Sequence, residues 1–436
     1  MFIQYEKKLS VKYDVDVFVA GGGPAGVAAA YSAAKCGARV FLAETYGAFG
    51  GAAVHSLIPA FMQFGDGVNF LAGNVGTYVR NYLREKSPEE YKKYCPDSIP
   101  VEVLKLCYDE MLTNAGVQFE FFSSVSDVLA KDGSIEYAVC TAKGESYAVK
   151  AKVYIDCTGD GDMAALSGAE FSKGDENGDM MAATLCALWN NIEWKDVVRP
   201  DSRRLDDAFA DKVFSNEDRH LPGIWPISTT TGGSNAGHIY DIDGTTAQSL
   251  TRGMIEGRKQ LLEYRRYYKE YLSGYEKSEP IISATQIGIR ETRRITGDYV
   301  LCVDDFLSRA VFEDEIGRYA YPIDIHSGKN TTAGYNEYAK KFAELRYQKG
   351  ESYGIPYRSL LVKNLDNLLT AGRCISADRS MQASVRVMPG CFITGQAAGT
   401  AAALAAKQNG KTRDINIAEL QAILRENGAV ISEYKK

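Results

Sequence analysis

Residues 15–44 read VDVFVAGGGPAGVAAAYSAAKCGARVFLAE, and their order decides the fold. Residues 15–20 are a β-branched and aromatic run, the mark of a buried strand. The chain then enters Gly21-Gly22-Gly23-Pro24-Ala25-Gly26, a GxGxxG on Gly21, Gly23 and Gly26. The alanine-rich stretch that follows reads as a helix stopped by Gly37. Residues 38–43 read as a second strand, with Glu44 at its end. Each piece has a task in binding a dinucleotide. Gly21 turns the chain out of the strand, Gly23 lets backbone approach a pyrophosphate, and Gly26 lets helix and strand pack closely. The helix beginning at Pro24 and Ala25 offers the phosphates its free N–H groups and positive dipole end. Glu44 accepts hydrogen bonds from a ribose and repels a 2′-phosphate. A glycine turn alone is common; strand, turn, helix, strand and acid in register point to a dinucleotide site.

Working outward, Gly50-Gly51 follows Glu44 by six residues. Residues 117–125 and 135–139 are strand-like and flank the hairpin signal Lys131-Asp132-Gly133-Ser134. A second hairpin turns at Lys143-Gly144, and the strand KVYID (152–156) ends in Cys157-Thr158-Gly159-Asp160-Gly161-Asp162. Asp160 and Asp162 lack further ligands at EF-hand spacing, which leaves a cofactor contact or a cap on the next helix. Far downstream, residues 367–371 form a strand followed by Gly372-Arg373-Cys374. A helix begins near Gly390, and its small face of Gly395, Ala398, Gly399 and Ala402 needs a close partner.

The motifs together carry a resemblance. They are GGGPAG with Glu44 and Gly50-Gly51, CTGDGD, GIRETRRITGDYVL (288–301), YPIDIH (321–326), and the run from residue 355 to 376 with SVRVMPGCFITGQAAGTAAALAA (384–406). The chain resembles the FAD-dependent oxidoreductases whose glutathione-reductase-type FAD domain is related to the fumarate reductase and succinate dehydrogenase flavoproteins. The resemblance implies bound FAD and an α/β fold: a Rossmann-like FAD-binding domain with a β-meander, interrupted by an α+β substrate or cap domain. The FAD domain is expected over residues 1–170 and 356–436, and the interruption over 171–355. It implies cofactor contacts at Gly21, Gly23, Pro24, Ala25, Gly26, Glu44, Gly50, Gly51, Thr158, Gly159, Asp160, Gly372, Arg373 and Gly395. It also places the helix near Gly390 under the flavin pyrimidine, where its N-terminus stabilises negative charge. The surroundings of His55, GGAAVHSL, do not reproduce the motif that attaches FAD covalently in the fumarate reductase relatives.

Residues 171–355 hold no second strand–GxGxxG–helix and the chain has no CxxC, which argues against a nicotinamide domain and against disulfide reduction. One long helix is expected from about 245 to 272, with Arg258, Lys259, Arg265, Arg266 and Lys269 on a solvated face. A flavin enzyme needs groups that orient a C–H bond and move a proton. The candidates are Arg290, Arg293 and Arg294 of RETRR, expected to share a helical face, with His238, His326, Tyr357, Arg358 and Arg386. Arg386, His326, Arg293 and Tyr357 form the expected catalytic set. The arginines would bind an anionic or hydroxyl-rich substrate while a histidine or tyrosine relays the proton. His326 ends the apolar run PIDI and reads equally as a core histidine. The expected activity is hydride transfer between flavin N5 and a small organic substrate, with the external electron donor or acceptor open. The alternative is a flavin-binding scaffold that recognises partners without turnover.

Composition agrees. The 436 residues carry a net charge of −6, which argues against nucleic acid as a partner. Nine irregularly spaced cysteines and four scattered histidines give little support to disulfides or zinc and suit reduced thiols in the cytoplasm. The start MFIQYEKKLSVKYD has no apolar run of secretory length. Residues 390–406 are too short and too polar to span a membrane. The 27 tyrosines have no account in the sequence.

Overall fold

The computed structural model describes residues 3–87, 97–329, 342 and 345–434. Its main sheet is built from β1 (Val11–Ala20), β2 (Val40–Ala43), β3 (Gln118–Glu120), β4 (Ser123–Lys131), β5 (Ser134–Ala142) and β6 (Glu145–Asp156). The order is β3-β2-β1-β6-β5-β4, and the late strand Leu368–Thr370 pairs with β6. Pairings β3–β2, β2–β1, β1–β6 and β6 with Leu368–Thr370 are parallel; β4–β5–β6 is an antiparallel meander. This is a mixed α/β fold with a Rossmann-like parallel core. β2 is buried along its whole length, as a run of Val, Phe, Leu and Ala under helices requires. The sequence suggested one strand over residues 117–125. The chain instead breaks at Phe122, whose φ of 56° turns it between β3 and β4. Phe122 N–H donates to Tyr46 O and Ser123 N–H to Glu44 O, so the break follows the loop around Glu44.

The helix Pro24–Lys35 lies along the helix Met388–Ala406, which is buried from end to end. A Cβ on Gly395 would stand 2.2 Å from Ala25 O, and one on Gly399 would stand 2.1 Å from Ala29 O. The small face therefore meets backbone, a distance only glycine permits. No helix among the described residues is long and apolar enough to cross a membrane.

A second sheet orders Glu279–Ser283, Ala187–Asn190, Gly232–Ser234 and Ile224–Pro226. The helix Ala247–Tyr271 packs beside it, with Thr246 as N-cap accepting from Ser249 N–H. Tyr264, Tyr267, Tyr268, Tyr275 and Trp189 are buried together beneath this helix, and the Trp189 and Tyr268 rings meet edge-on at 5.2 Å. Part of the tyrosine excess thus fills a separate aromatic core. Arg293–Ile295 is a short strand paired with Phe171–Lys173, so RETRR does not present its arginines on a helical face. Glu315–Tyr319 pairs with Tyr353–Pro356. Ile316, Tyr319, Tyr353 and Ile355 share one buried cluster with Ile393 and the first helix.

Candidate functional site

β1 ends in the glycine turn, and the helix Pro24–Lys35 starts with Gly23 as N-cap and no side chain on its first amides. The two later glycines of the turn differ. A Cβ on Gly26 would lie 1.8 Å from Gly21 O, so the protein itself demands glycine there. A Cβ on Gly23 would meet nothing closer than Gly51 Cα at 3.8 Å. Gly22 N–H donates to Glu44 Oε2 at 2.7 Å, and Tyr46 N–H donates to Oε1 at 2.8 Å. Burial pushes the Glu44 carboxyl up to about 6 against these hydrogen bonds. Gly50 N–H donates to Gly22 O at 2.9 Å and ties the Gly50-Gly51 turn to the first.

A third turn closes the cradle. The Asp156 carboxylate, fully buried at the end of β6, accepts from Thr158 N–H, Thr158 Oγ1 and Ala164 N–H. Burial lifts its pKa to about 6 in spite of them. Arg373 donates to Gly159 O at 3.0 Å, to Asp160 Oδ1 at 2.6 Å and to Ile289 O at 2.6 Å. Gly372 N–H donates to Thr394 Oγ1 at 3.0 Å, joining this turn to the helix Met388–Ala406.

A second constellation lies beyond that helix's N-terminus. Arg386 follows the helix Arg379–Val385, and its Nη2 donates to Asp324 O at 3.0 Å and approaches Asp324 Oδ2 at 3.4 Å. His326 Nε2 stands 3.4 Å from Asp324 Oδ1. His326 Nδ1 and His238 Nε2 share a hydrogen bond of 2.8 Å, and His238 Nδ1 reaches Asp218 Oδ1 at 3.1 Å. The His220 ring packs 4.9 Å from His238 and 5.2 Å from His326. Arg290 is buried and donates to Ala182 O, Thr184 Oγ1 and Asn235 Oδ1. Gln382 Nε2 donates to Arg290 O at 3.0 Å. Gln382 Oε1 and Arg386 Nε are buried with no hydrogen-bond partner in the protein.

Electrostatics divide the cluster. Burial and the charge of Arg290 push His326 well below the ordinary imidazole value, so it is neutral near pH 7. Burial and His238 bring His220 down to about 4. Burial opposes ionisation of Asp324, but the positive charges of Arg386 and Arg290 outweigh it and hold the carboxyl well below the usual carboxylate range. Burial and Arg386 lower Arg290 only to about 10, so it stays charged.

The sequence profile described as FAD dependent oxidoreductase matches residues 16–424. The chain belongs to the FAD dependent oxidoreductase family. Its members' shared cofactor is FAD, and the chain is an FAD-dependent enzyme. No curated protein sequence matches it significantly. Solved structures that resemble it include a geranylgeranyl bacteriochlorophyll reductase-like protein from Thermoplasma acidophilum, 12% identical, covering 96% of this chain and 84% of that one, TM-score 0.48. The flavin-dependent brominase Bmp2 is 14% identical, covering 95% and 83%, TM-score 0.45. The myxobacterial chondrochloren halogenase CndH is 14% identical, covering 95% and 79%, TM-score 0.46.

The cradle fits FAD on its own geometry. The space over Gly23 is left open by the protein, uncapped helix amides border it, and the Glu44 carboxylate is fixed beside it. Gly21, Gly23, Pro24, Ala25, Gly26, Glu44, Gly50 and Gly51 come together there. Three expected contacts take other roles. Gly395 faces Ala25 O and serves helix packing. Arg373 and Asp160 bind each other and shape the Thr158–Gly159 turn. The cap on the helix Asp162–Leu166 is Gly161, so neither Asp160 nor Asp162 caps it by side chain.

Of the expected catalytic set, Arg386 and His326 are brought together through Asp324. Arg293 is elsewhere: it donates to Asp160 O at 2.9 Å and Asp162 Oδ1 at 2.7 Å. Tyr357 is buried and donates to Thr412 O at 2.8 Å, which leaves its hydroxyl no substrate to meet. Arg294 pairs with buried Glu291, which Arg379 also holds, and Arg358 pairs with Asp314. Sequence reasoning missed Asp218, His220, Asp324 and Gln382. A signal existed for three of them: Asp218-Arg219-His220 and Asp324-Ile325-His326 repeat an Asp-x-His spacing.

Proposed function

We propose that this enzyme moves a hydride between flavin N5 and a small organic substrate that is anionic or rich in hydroxyls. Bound FAD would supply the two-electron acceptor or donor. The observation that carries the reading is the joining of Arg386, Asp324 and His326 at the N-terminal end of the helix Met388–Ala406, with Arg386 Nε unpartnered. Two guanidinium groups orient the substrate, and a neutral imidazole exchanges its proton. The substrate side draws on the 171–355 stretch, with Gln382 and Arg386 reaching it from beyond. Free thiols at every described cysteine agree with a reducing compartment such as the cytoplasm.

The test is a screen of small hydroxy acids, amino acids and polyols against the flavin-loaded protein without oxygen. Bleaching of the flavin by one class is the expected result. A protein that takes up no FAD would overturn the reading outright, and a flavin that no compound reduces and no acceptor but oxygen reoxidises would overturn it in favour of a flavin-binding scaffold.

A further inference from the structure

Three polar contacts in a row fix where the protons of the histidine pair sit. Asp218 accepts from His220 N–H, from His238 N–H and faces His238 Nδ1. Contacts with His238 and these backbone donors outweigh burial and hold Asp218 in its charged form. A carboxylate only accepts, so His238 must carry its proton on Nδ1. The 2.8 Å contact between the two rings holds one proton, and with His238 accepting on Nε2 His326 donates from Nδ1. Neutral His326 is left with a lone pair on Nε2, and that nitrogen faces the Asp324 carboxylate at 3.4 Å. Lone pair against carboxylate is not a hydrogen bond. Of the four ring nitrogens, this one alone lacks a proton to share or receive.

We infer that His326 Nε2 is the base that takes the substrate's proton, and that Asp218 and His238 are positioning residues that hold it in this tautomer. The inference rests on the proposed function, because it assumes that this cluster is the substrate side. It narrows the substrate to one with an O–H or N–H next to the oxidised C–H. The C–H bond breaks and its electron pair leaves as hydride to the flavin. The O–H or N–H proton moves to His326 Nε2, and a C=O or C=N bond forms. One hydride and one proton leave, so the balance closes. The resulting imidazolium lies between Asp324 and the Asp218–His238 pair, and all three contacts then hold a proton.

The surroundings set the poise. Burial and Arg290 disfavour a charge on His326, while Asp324 favours it. His220 adds a neutral ring against both histidines. Tyr321 approaches Asp324 Oδ2 at 3.4 Å, and the Tyr240 ring meets His238 edge-on at 5.9 Å. Cys186 lies behind Arg290, near Asn235.

The test is long-range proton–nitrogen NMR on the flavin-loaded protein labelled at histidine, which reads the tautomer without a substrate. The four histidines are assigned by single substitution. The expected spectrum at pH 7 shows His238 and His326 both neutral with the proton on Nδ1. In His238→Gln the amide oxygen still accepts from His326 Nδ1 and the tautomer stays. In His238→Leu it shifts to the Nε2–H form that can donate to Asp324. Any compound that bleaches the wild-type flavin should then reduce His238→Leu about 10²- to 10⁴-fold more slowly, and His238→Gln less so. Nε2–H on His326 in the wild-type protein, or a charged His326 at pH 7, would overturn the inference. That result would stand whether or not a substrate had been found. Wild-type and Gln spectra suffice if the Leu variant does not fold.

Discussion

The cofactor cradle and the histidine–arginine cluster are built by opposite means. The cradle is mostly backbone: turns at 21–26, 50–51 and 158–161 are tied by amide hydrogen bonds and by the carboxylates of Glu44 and Asp156. The cluster is mostly side chain, and its members come from four separate stretches around residues 218–240, 290, 321–326 and 382–386. A bound nucleotide is a long, fixed shape that short chain turns can wrap. A small substrate needs a few charges aimed at one point, and only tertiary folding brings those together. The cradle should therefore fail through shape and the cluster through chemistry.

The sharpest test lies inside the cradle. Gly26→Ala drives a methyl into Gly21 O and should cost about 3 kcal/mol or more, seen as lost folded yield or a fallen denaturation midpoint. Gly23→Val meets open space, so the apoprotein should keep its stability to within about 1 kcal/mol while flavin absorbance disappears. If both variants only unfold, shape alone does not separate the two glycines and the comparison breaks.

Next comes the cluster. Arg386→Ala should retain FAD and its melting behaviour yet reduce flavin about 10- to 100-fold more slowly, the equivalent of about 1.5–3 kcal/mol for a hydrogen bond to a charged group. Loss of FAD in this variant would merge the two regions.

A smaller effect is a pH dependence of the cradle. Burial raises the folded Glu44 pKa from 4.5 to about 6, so the empty cradle gains a proton on folding between those values. This contribution to apoprotein stability is complete below 4.5 and is lost as pH rises through about 6. Ribose hydroxyls donate more strongly to the ionised carboxylate than to the protonated acid. FAD affinity should therefore weaken as pH falls below about 6, by up to about tenfold per unit. Equilibrium titration of FAD measures it, and Glu44→Gln should flatten the dependence.

The smallest effect is expected at Tyr357→Phe. It removes the donor to Thr412 O and should cost about 1 kcal/mol of stability with no change in flavin reduction. A slower reduction would return Tyr357 to the site.

The same contrast explains how much could be read from the chain. Gly21, Gly23, Gly26 and Glu44 stand at fixed spacings, and the spacing is the mechanism. The meander, the long helix near 245–272 and the buried helix after Gly390 follow from local pattern and appear as Glu145–Asp156, Ala247–Tyr271 and Met388–Ala406. RETRR misled because arginines at spacings of three and four suit a helix, yet Arg290, Arg293 and Arg294 each find different acceptors. Tyr357 misled because a tyrosine beside an arginine resembles a proton relay until Thr412 is seen to take its hydroxyl. Asp218 offered only its Asp-x-His spacing, because its partner His238 is reached through space.

The contact of Gly395 and Gly399 with Ala25 and Ala29 also bears on how the molecule comes into being. The first helix is made some 370 residues before the surface it must lie against. Such a pairing contributes a very large sequence separation and waits until loop-closure entropy can be met. The emerging chain can form its strand and glycine turn on the ribosome, but it cannot seal them. The cofactor's seat is thus translated well before the surface that finishes it.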